Sequence, residues 1–103
     1  MRRGARHAFS IVRFRVKPGR KEEFIEAHEK AAAGWPGLLH ANLVQVGERD
    51  FCLVAEWESE AALQKAGPKM IKTLDTFRDC LEVLSPKLGV TAPLSGPAVL
   101  KMK

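Results

Sequence analysis

Residues 9–66 decide the fold of this chain; they begin with FSIVRFRVKPG (residues 9–19) and end with FCLVAEWESEAALQKA (residues 51–66). Apolar residues first alternate, then recur at helical spacing, and then alternate again in two runs that a short polar turn separates. The pattern predicts strand, amphipathic helix, strand, tight turn, strand and helix. That order is typical of a two-layer α+β domain.

The first strand and helix are predicted from residues 8–16 and 22–35. Pro18-Gly19 ends the strand, and Gly34 with Pro36-Gly37 ends the helix. Acidic residues dominate the start of the helix, as its dipole favours. One buried stripe is expected on it, made of Phe24, His28, Ala31 and Trp35.

The second and third strands, residues 38–46 and 51–58, are predicted to form a hairpin across the turn Gly47–Asp50. A loop of two residues and a loop of four residues give the same register, because the residue numbers of each facing pair add up to the same value in both cases. The predicted pairs are Val46 with Phe51, Val44 with Leu53, Asn42 with Ala55 and His40 with Trp57, all on one face. The opposite face would carry Leu39, Ala41, Leu43, Cys52 and Val54. Both faces are then apolar, so we expect helices to cover one and a second subunit to cover the other, which predicts a homodimer through the sheet faces.

The second half of the chain is predicted to hold two more helices and a strand. Ser59 is placed to cap the second helix, and Gly67-Pro68 is expected to interrupt it before a third. Residues 86–103 form a C-terminal arm in which residues 98–102 add an edge strand. We predict a single domain over residues 1–103 with a basic N-terminal arm at residues 1–7, folded as a ferredoxin-like two-layer sandwich (β-α-β-β-α-β).

The net charge of +5 is concentrated in the first 21 residues, which hold eight basic and no acidic side chains. Residues 22–103 hold nine basic against twelve acidic ones. No nucleic-acid-binding motif accompanies the basic arm, so a solvated tail is favoured over a nucleic-acid partner. No apolar run approaches the length of a membrane span, and two cysteines without close spacing suggest reduced thiols, so we expect a cytoplasmic protein with no membrane partner.

Two corners of the chain carry a family resemblance. The first is Val16-Lys17-Pro18-Gly19 followed by Phe24, and the other is Trp57-Glu58-Ser59. These motifs resemble the antibiotic biosynthesis monooxygenase-like family of dimeric α/β barrels. The resemblance implies a homodimer and covers about two thirds of the chain, within a family of oxygenases, haem degraders, isomerases and members of unknown role.

Candidate site residues come from the face that would end in Trp57. The chain shows no dinucleotide, phosphate-loop or metal-binding motif, so we expect no cofactor and no metal. A neutral imidazole can deprotonate or polarise a phenolic hydroxyl, and an amide can hold the oxyanion that forms. We therefore predict His40 and Asn42 as catalytic residues. The expected substrate-binding residues are Trp57, His28, Phe24, Leu53 and Leu63.

The resemblance implies a cofactor-independent monooxygenase that oxidises a quinol or polycyclic phenol, a small aromatic molecule, with O2. This chain departs from some aromatic-oxidising members, since Leu53 stands where they carry Asn and Leu63 where they carry Tyr. Structural roles remain open for His40, Asn42 and Trp57, as rim, backbone-bonding and packing residues. The alternative is a non-catalytic small-molecule-binding or structural dimer of the same fold.

Overall fold

Four strands and two helices make up the fold, in a computed structural model that describes residues 6–31 and 34–103. In chain order they are β1 (Ala8–Arg15), α1 (Lys21–Ala31), β2 (Leu38–Gln45), β3 (Asp50–Trp57), α2 (Glu60–Phe77) and β4 (Ala92–Pro97). A short 3-10 helix, Arg78–Cys80, follows α2. Within the described residues, neither helix is long and apolar enough to cross a membrane.

The strands form one antiparallel sheet in the order β2-β3-β1-β4. Side chains alternate between its faces, and the register pairs Ala8 with Trp57 and Phe14 with Phe51. All four of these residues are buried, so their face lies under the helices. We call it the inner face and the opposite one the outer face. The topology confirms the predicted ferredoxin-like α+β fold.

The first corner brings the chain from β1 into α1. Gly19 has a φ of +78°, a conformation that glycine adopts without strain. The backbone N–H of Lys17 donates to the carbonyl of Cys80 at 2.7 Å, which ties the corner to the 3-10 helix that follows α2. Helix α1 then buries Phe24 completely. The predicted helix extended to residue 35, but α1 is assigned only through Ala31 and Trp35 lies outside it.

The predicted register of the β2–β3 hairpin is wrong by one residue. The structure pairs Gln45 with Phe51, Leu43 with Leu53 and Ala41 with Ala55. Because side chains alternate, a one-residue shift moves every β2 residue to the other face. Asn42 consequently pairs with Val54 and His40 with Glu56, both on the outer face, rather than with Ala55 and Trp57.

An odd loop length causes the shift, and Arg49 holds that loop. Val46 N–H bonds the carbonyl of Asp50 at 2.9 Å, which leaves three residues in the loop instead of two or four. The carbonyl of Arg49 accepts from the N–H of Val16 at 2.8 Å, and its guanidinium bonds the carbonyl of Val16 and the carboxylate of Glu82. These contacts come from Val16, which directly follows β1, and from the segment after α2, so the hairpin sequence alone does not reveal them.

Helix α2 runs unbroken through the Gly67-Pro68 pair, so the predicted third helix does not exist as a separate element. Proline inside a helix removes one backbone hydrogen bond and costs about 3 kcal/mol. Burial on both sides offsets that cost, since Ala66 and Phe77 are buried against the sheet. The predicted cap is confirmed, because the Ser59 hydroxyl accepts from the N–H of Ala62 at 3.1 Å.

The last strand also lies elsewhere than predicted. Strand β4 covers Ala92–Pro97 and pairs with β1, whereas residues 98–102 have no strand structure. Pro93 and Pro97 argued against a strand in the sequence, because proline cannot donate to a ladder. They are tolerated here because β4 is an edge strand.

Candidate active site

A cavity of about 630 Å³ lies between the helices and the inner face of the sheet. Its wall is mainly aliphatic and aromatic. Exposed residues at its margin, such as Ile71 and Leu39, show that it opens to the surface. Contributions to the wall come from β1, α1, β2, β3, α2 and the approach to β4, including Val12, Phe14, Ile25, Leu43, Leu53, Met70, Leu74 and Phe77.

His28 lies in this wall, inside a cage of three phenyl rings. Its ring centroid is 4.6 Å from Phe24, 4.6 Å from Phe77 and 5.8 Å from Phe14. The interplanar angles of 61°, 40° and 69° place the rings in tilted or edge-on contact. Helix α1 supplies His28 one turn after Phe24, the spacing that aligns side chains on one helical face.

One nitrogen of the His28 ring has a partner and the other has none. Nδ1 lies 3.0 Å from the carbonyl oxygen of Phe24, which can only accept, so Nδ1 carries the proton. Nε2 therefore holds a lone pair. It is buried and is the one buried side-chain nitrogen or oxygen without a hydrogen bond in the described part of the chain.

Burial lowers the pKa of His28 below 6.5, and its bond to Phe24 opposes that shift only in part. The imidazole is neutral at pH 7 as a result. An unpaired polar atom in a dry wall costs about 1–3 kcal/mol. A base that retains a free lone pair in an apolar cavity is a typical feature of a functional site.

Trp57 forms another part of the wall and is fixed on two sides. Its ring is parallel to that of Trp35, with 6.0 Å between centroids and 8° between planes. Its indole N–H donates to the buried hydroxyl of Ser10 at 3.1 Å. Trp57 is among the residues that line the cavity. The sequence prediction missed both partners; the only available signals were a Trp before Pro36-Gly37 and a lone polar residue on an apolar strand face.

The two residues predicted as catalytic are not placed as expected. Asn42 faces outward opposite Val54 and does not line the cavity, so it cannot serve as oxyanion donor there. His40 is exposed and contributes to the cavity margin at the β2 edge. A register irregularity between Leu38 and His40 disturbs the alternation at that point.

The remaining predicted residues divide between the wall and the packing behind it. Leu53 lines the cavity directly. Phe24 lies behind His28 in the core, and Leu63 packs on the cluster around Trp57; neither lines the cavity. The structure thus brings together His28, Trp57 and Leu53, with His40 at the margin.

Other polar side chains in the wall are few. Glu29 is exposed and follows His28 on α1, while Thr73 and Thr91 come from α2 and the approach to β4. In the ranges 6–31 and 34–103, no three His, Cys, Asp or Glu residues cluster as metal ligands would. The arrangement is an apolar cavity with a neutral imidazole in its wall, which suits a flat apolar molecule.

Comparison with known proteins places residues 8–66 in the sequence family described as antibiotic biosynthesis monooxygenase. No curated protein matches the chain. Among solved structures, SnoaB from Streptomyces nogalater, a cofactor-independent oxygenase, has a TM-score of 0.74 at 18% identity, over 95% of this chain and 98% of that one.

Two further structures are similar to the same extent. NE2512 from Nitrosomonas europaea, of unknown function, has a TM-score of 0.73 at 16% identity, over 96% of this chain and 95% of that one. A conserved protein from Methanosarcina mazei Go1 has a TM-score of 0.74 at 13% identity, over 89% and 92%. Identities this low establish a common fold and nothing beyond it.

Proposed function

This chain belongs to the antibiotic biosynthesis monooxygenase family, and we propose that it is a cofactor-independent monooxygenase that oxidises a quinol or polycyclic phenol with O2. The oxygenase activity named for SnoaB, which has the same fold, agrees with this choice. One observation carries it: the unpaired Nε2 of His28 in the wall of an apolar cavity.

His28 is the proposed base in place of His40 and Asn42. Nε2 is fully buried, so the His28 ring or its cage would shift to let a substrate hydroxyl in the cavity become the first hydrogen-bond partner of Nε2. The proton would pass to Nε2, leaving the substrate as an electron-rich anion that reacts with O2. One oxygen atom enters a ring carbon and the other leaves as water. The substrate supplies all four electrons, so no external reductant is consumed.

Proton transfer from a phenol to His28 is unfavourable, but its free-energy cost is smaller than the activation barrier of a typical enzyme. Ordinary pKa values near 10 for a phenol and 6.5 for imidazole imply a cost of about 5 kcal/mol. Burial of His28 increases this cost. Attraction between imidazolium and phenolate in a dry cavity reduces it, and the Phe24 carbonyl and the surrounding ring faces stabilise the imidazolium. Turnover at about 10 s⁻¹ requires a total barrier of only about 16 kcal/mol.

The cavity wall would provide orientation and exclusion of water. Trp57 is held rigid by Ser10 and by the stack with Trp35, and it is fully buried, so it would fix the shape of the wall from behind rather than expose a ring face to the substrate. Leu53 and its apolar neighbours would keep water away from the substrate anion.

O2 uptake with a panel of hydroquinones, naphthoquinols and anthrones tests the proposal, using His28→Phe and His40→Ala as paired variants. His28→Phe keeps an aromatic ring in the cage and removes the base, so we expect turnover to fall about a hundredfold or more. We expect His40→Ala to stay within about twofold of the parent, a spread below 1 kcal/mol.

Stability separates a catalytic role of His28 from a structural one. Because Nε2 is buried without a partner, we expect His28→Phe to unfold at the same or higher denaturant concentration, with a gain of up to about 1 kcal/mol. A marked loss of stability would mean that His28 is there for packing. Ligand-induced stabilisation without O2 uptake above autoxidation would favour the non-catalytic binding dimer.

We also propose that the chain forms a homodimer through the outer face. Exposed apolar residues on that face support this, since Ile11, Val44 and Leu94 are 39%, 41% and 70% exposed. The corrected register leaves this argument intact, because Val44, Cys52 and Val54 now share the outer face.

A further inference from the structure

The charge of the cavity wall points to a choice between substrates. In the part of the chain that the structure describes, no lysine or arginine lines the cavity, and Glu29 is the one carboxylate that does. The neighbouring cation Lys30 lies 3.1 Å from Glu26 in an ion pair. Lys69 and Lys72 on α2 are exposed and contribute nothing to the wall.

The buried polar group offers no positive charge either. Burial lowers the pKa of His28, so its ring is neutral when substrate arrives. The indole N–H of Trp57 is already bonded to Ser10. A carboxylate that entered the cavity would therefore lose its hydration without gaining a cationic partner, and it would approach the charge of Glu29.

We propose that the cavity accepts uncharged hydroxylated aromatics and rejects those that bear a carboxylate, with Glu29 as a specificity-determining residue at its margin. The selection among substrates rests on the proposed oxygenase function. The selection among bound molecules does not depend on that function. The apolar wall supplies most of the discrimination because desolvating an ion is costly. Glu29 supplies a smaller, salt-sensitive part because it is exposed.

A matched pair of probes tests the selection without any oxidation step. The pair is 6-hydroxy-2-naphthamide and 6-hydroxy-2-naphthoate, which differ in one charge and share their ring and phenol. Affinity is measured by isothermal titration calorimetry near neutral pH. Quenching of the two tryptophans locates the bound probe, because both Trp35 and Trp57 line the cavity. We expect the amide to bind about tenfold or more tightly than the carboxylate, which corresponds to about 1.4 kcal/mol.

Glu29→Gln tests the named residue, and Glu22→Gln is its control. Glu22 is on the same helix and is exposed, but it is not part of the wall. Its substitution therefore changes the net charge by the same amount without changing the cavity. We expect Glu29→Gln to improve carboxylate binding about two- to fivefold at low salt, to lose that gain near 0.5 M salt, and to leave amide binding unchanged. Glu22→Gln should change neither probe.

Equal affinity for the two probes, or no binding of either, would overturn the selection. If Glu29→Gln kept the same preference for the amide over the carboxylate, Glu29 would have no part in the selection. The binding result is independent of turnover. Preference for the amide with no O2 uptake on any quinol would reject the oxygenase function and keep the selective cavity. O2 uptake without a preference between the probes would keep the oxygenase function and reject the selective cavity.

Discussion

The two faces of the sheet differ in how their polar groups are paired and in how deeply those groups are buried. On the inner face, the Ser10 hydroxyl bonds Trp57 within the core, and the caged His28 keeps one nitrogen unpaired. On the outer face, polar groups pair with one another beside exposed apolar side chains: Arg15 forms an ion pair with Asp50 at 3.1 Å, and Nδ1 of His7 is hydrogen-bonded to the carboxylate of Glu56 at 2.7 Å. The inner face thus borders an apolar cavity, and the outer face has the mixed polar and apolar character of surfaces that contact other proteins.

Truncation of matched apolar residues should reveal the largest difference between the faces. Phe24 is fully buried and in contact with Phe14, Phe51 and Phe77, whereas Ile11 on the outer face is 39% exposed. We expect Phe24→Ala to lower the free energy of unfolding by about 3–5 kcal/mol, and Phe24→Leu by about 1–2 kcal/mol if the alanine variant does not fold. Urea unfolding measures both.

Ile11→Ala is the matched control, with an expected loss of about 1 kcal/mol at protein concentrations where the chain is monomeric. A loss as large as that of Phe24→Ala would mean that the outer face is already covered within one chain. The comparison between the faces would then fail.

Charge placed on the outer face should break the proposed dimer. We expect Ile11→Lys combined with Val44→Lys to convert dimers to monomers, with dissociation at least about a hundredfold easier, because two buried lysines per subunit would lack partners. Sedimentation velocity measures the change and circular dichroism checks the fold. Val83→Lys is the control, since Val83 is 64% exposed and outside the sheet.

Cysteine alkylation gives a second measurement of the same surface. Cys52 is half-buried on the outer face, while Cys80 is fully buried and burial raises the pKa of its thiol. Labelling of Cys52 should slow as protein concentration rises and the face becomes covered. Labelling that is independent of concentration, together with monomers in sedimentation, would contradict the dimer.

A pH titration should show the smallest effect, and it tests the inner face alone. The pKa of His28 is lower in the folded chain than in the unfolded one, so the unfolded chain binds more protons below about pH 6.5. Stability is therefore retained above that pH and falls as the pH drops below it. Urea unfolding between about pH 8 and pH 5 should give a shallower dependence for His28→Phe than for the parent. Identical curves would mean that His28 titrates as it does in the unfolded chain.

Local sequence signals were sufficient for the order of the elements. Pro18-Gly19, the Ser59 cap and the period-two alternation placed three strands and both helix starts within a residue or so. These local signals did not determine the register of the hairpin. The number of residues in its loop depends on the contacts of Arg49 with Val16 and Glu82, which are distant in sequence. Likewise, the continuity of α2 through Pro68 depends on burial against the sheet, which outweighs a strong local helix breaker.

The site was predicted only in part for the same reason. Trp57, Leu53 and His28 were found because strand alternation and helical spacing predict a shared interior. The preference for His40 and Asn42 rested on the wrong register: Asn42 lies on the outer face, and His40 reaches only the cavity margin. What distinguishes His28 is a nitrogen left without a partner, and that depends on the positions of every neighbour, which no sequence pattern reports.

The two prolines of β4 limit how this protein can aggregate. Pro93 and Pro97 lie on the edge strand beside β1, and neither has an N–H to offer to an additional strand. At the other edge, β2 is interrupted by the irregularity between Leu38 and His40. The β4 margin of the sheet is therefore a poor template for strand addition, whereas the β2 margin is disturbed only at the start of the strand. In a concentrated solution, this chain should resist fibril growth through β4 even though its outer face is apolar, since strand pairing is impeded at that edge.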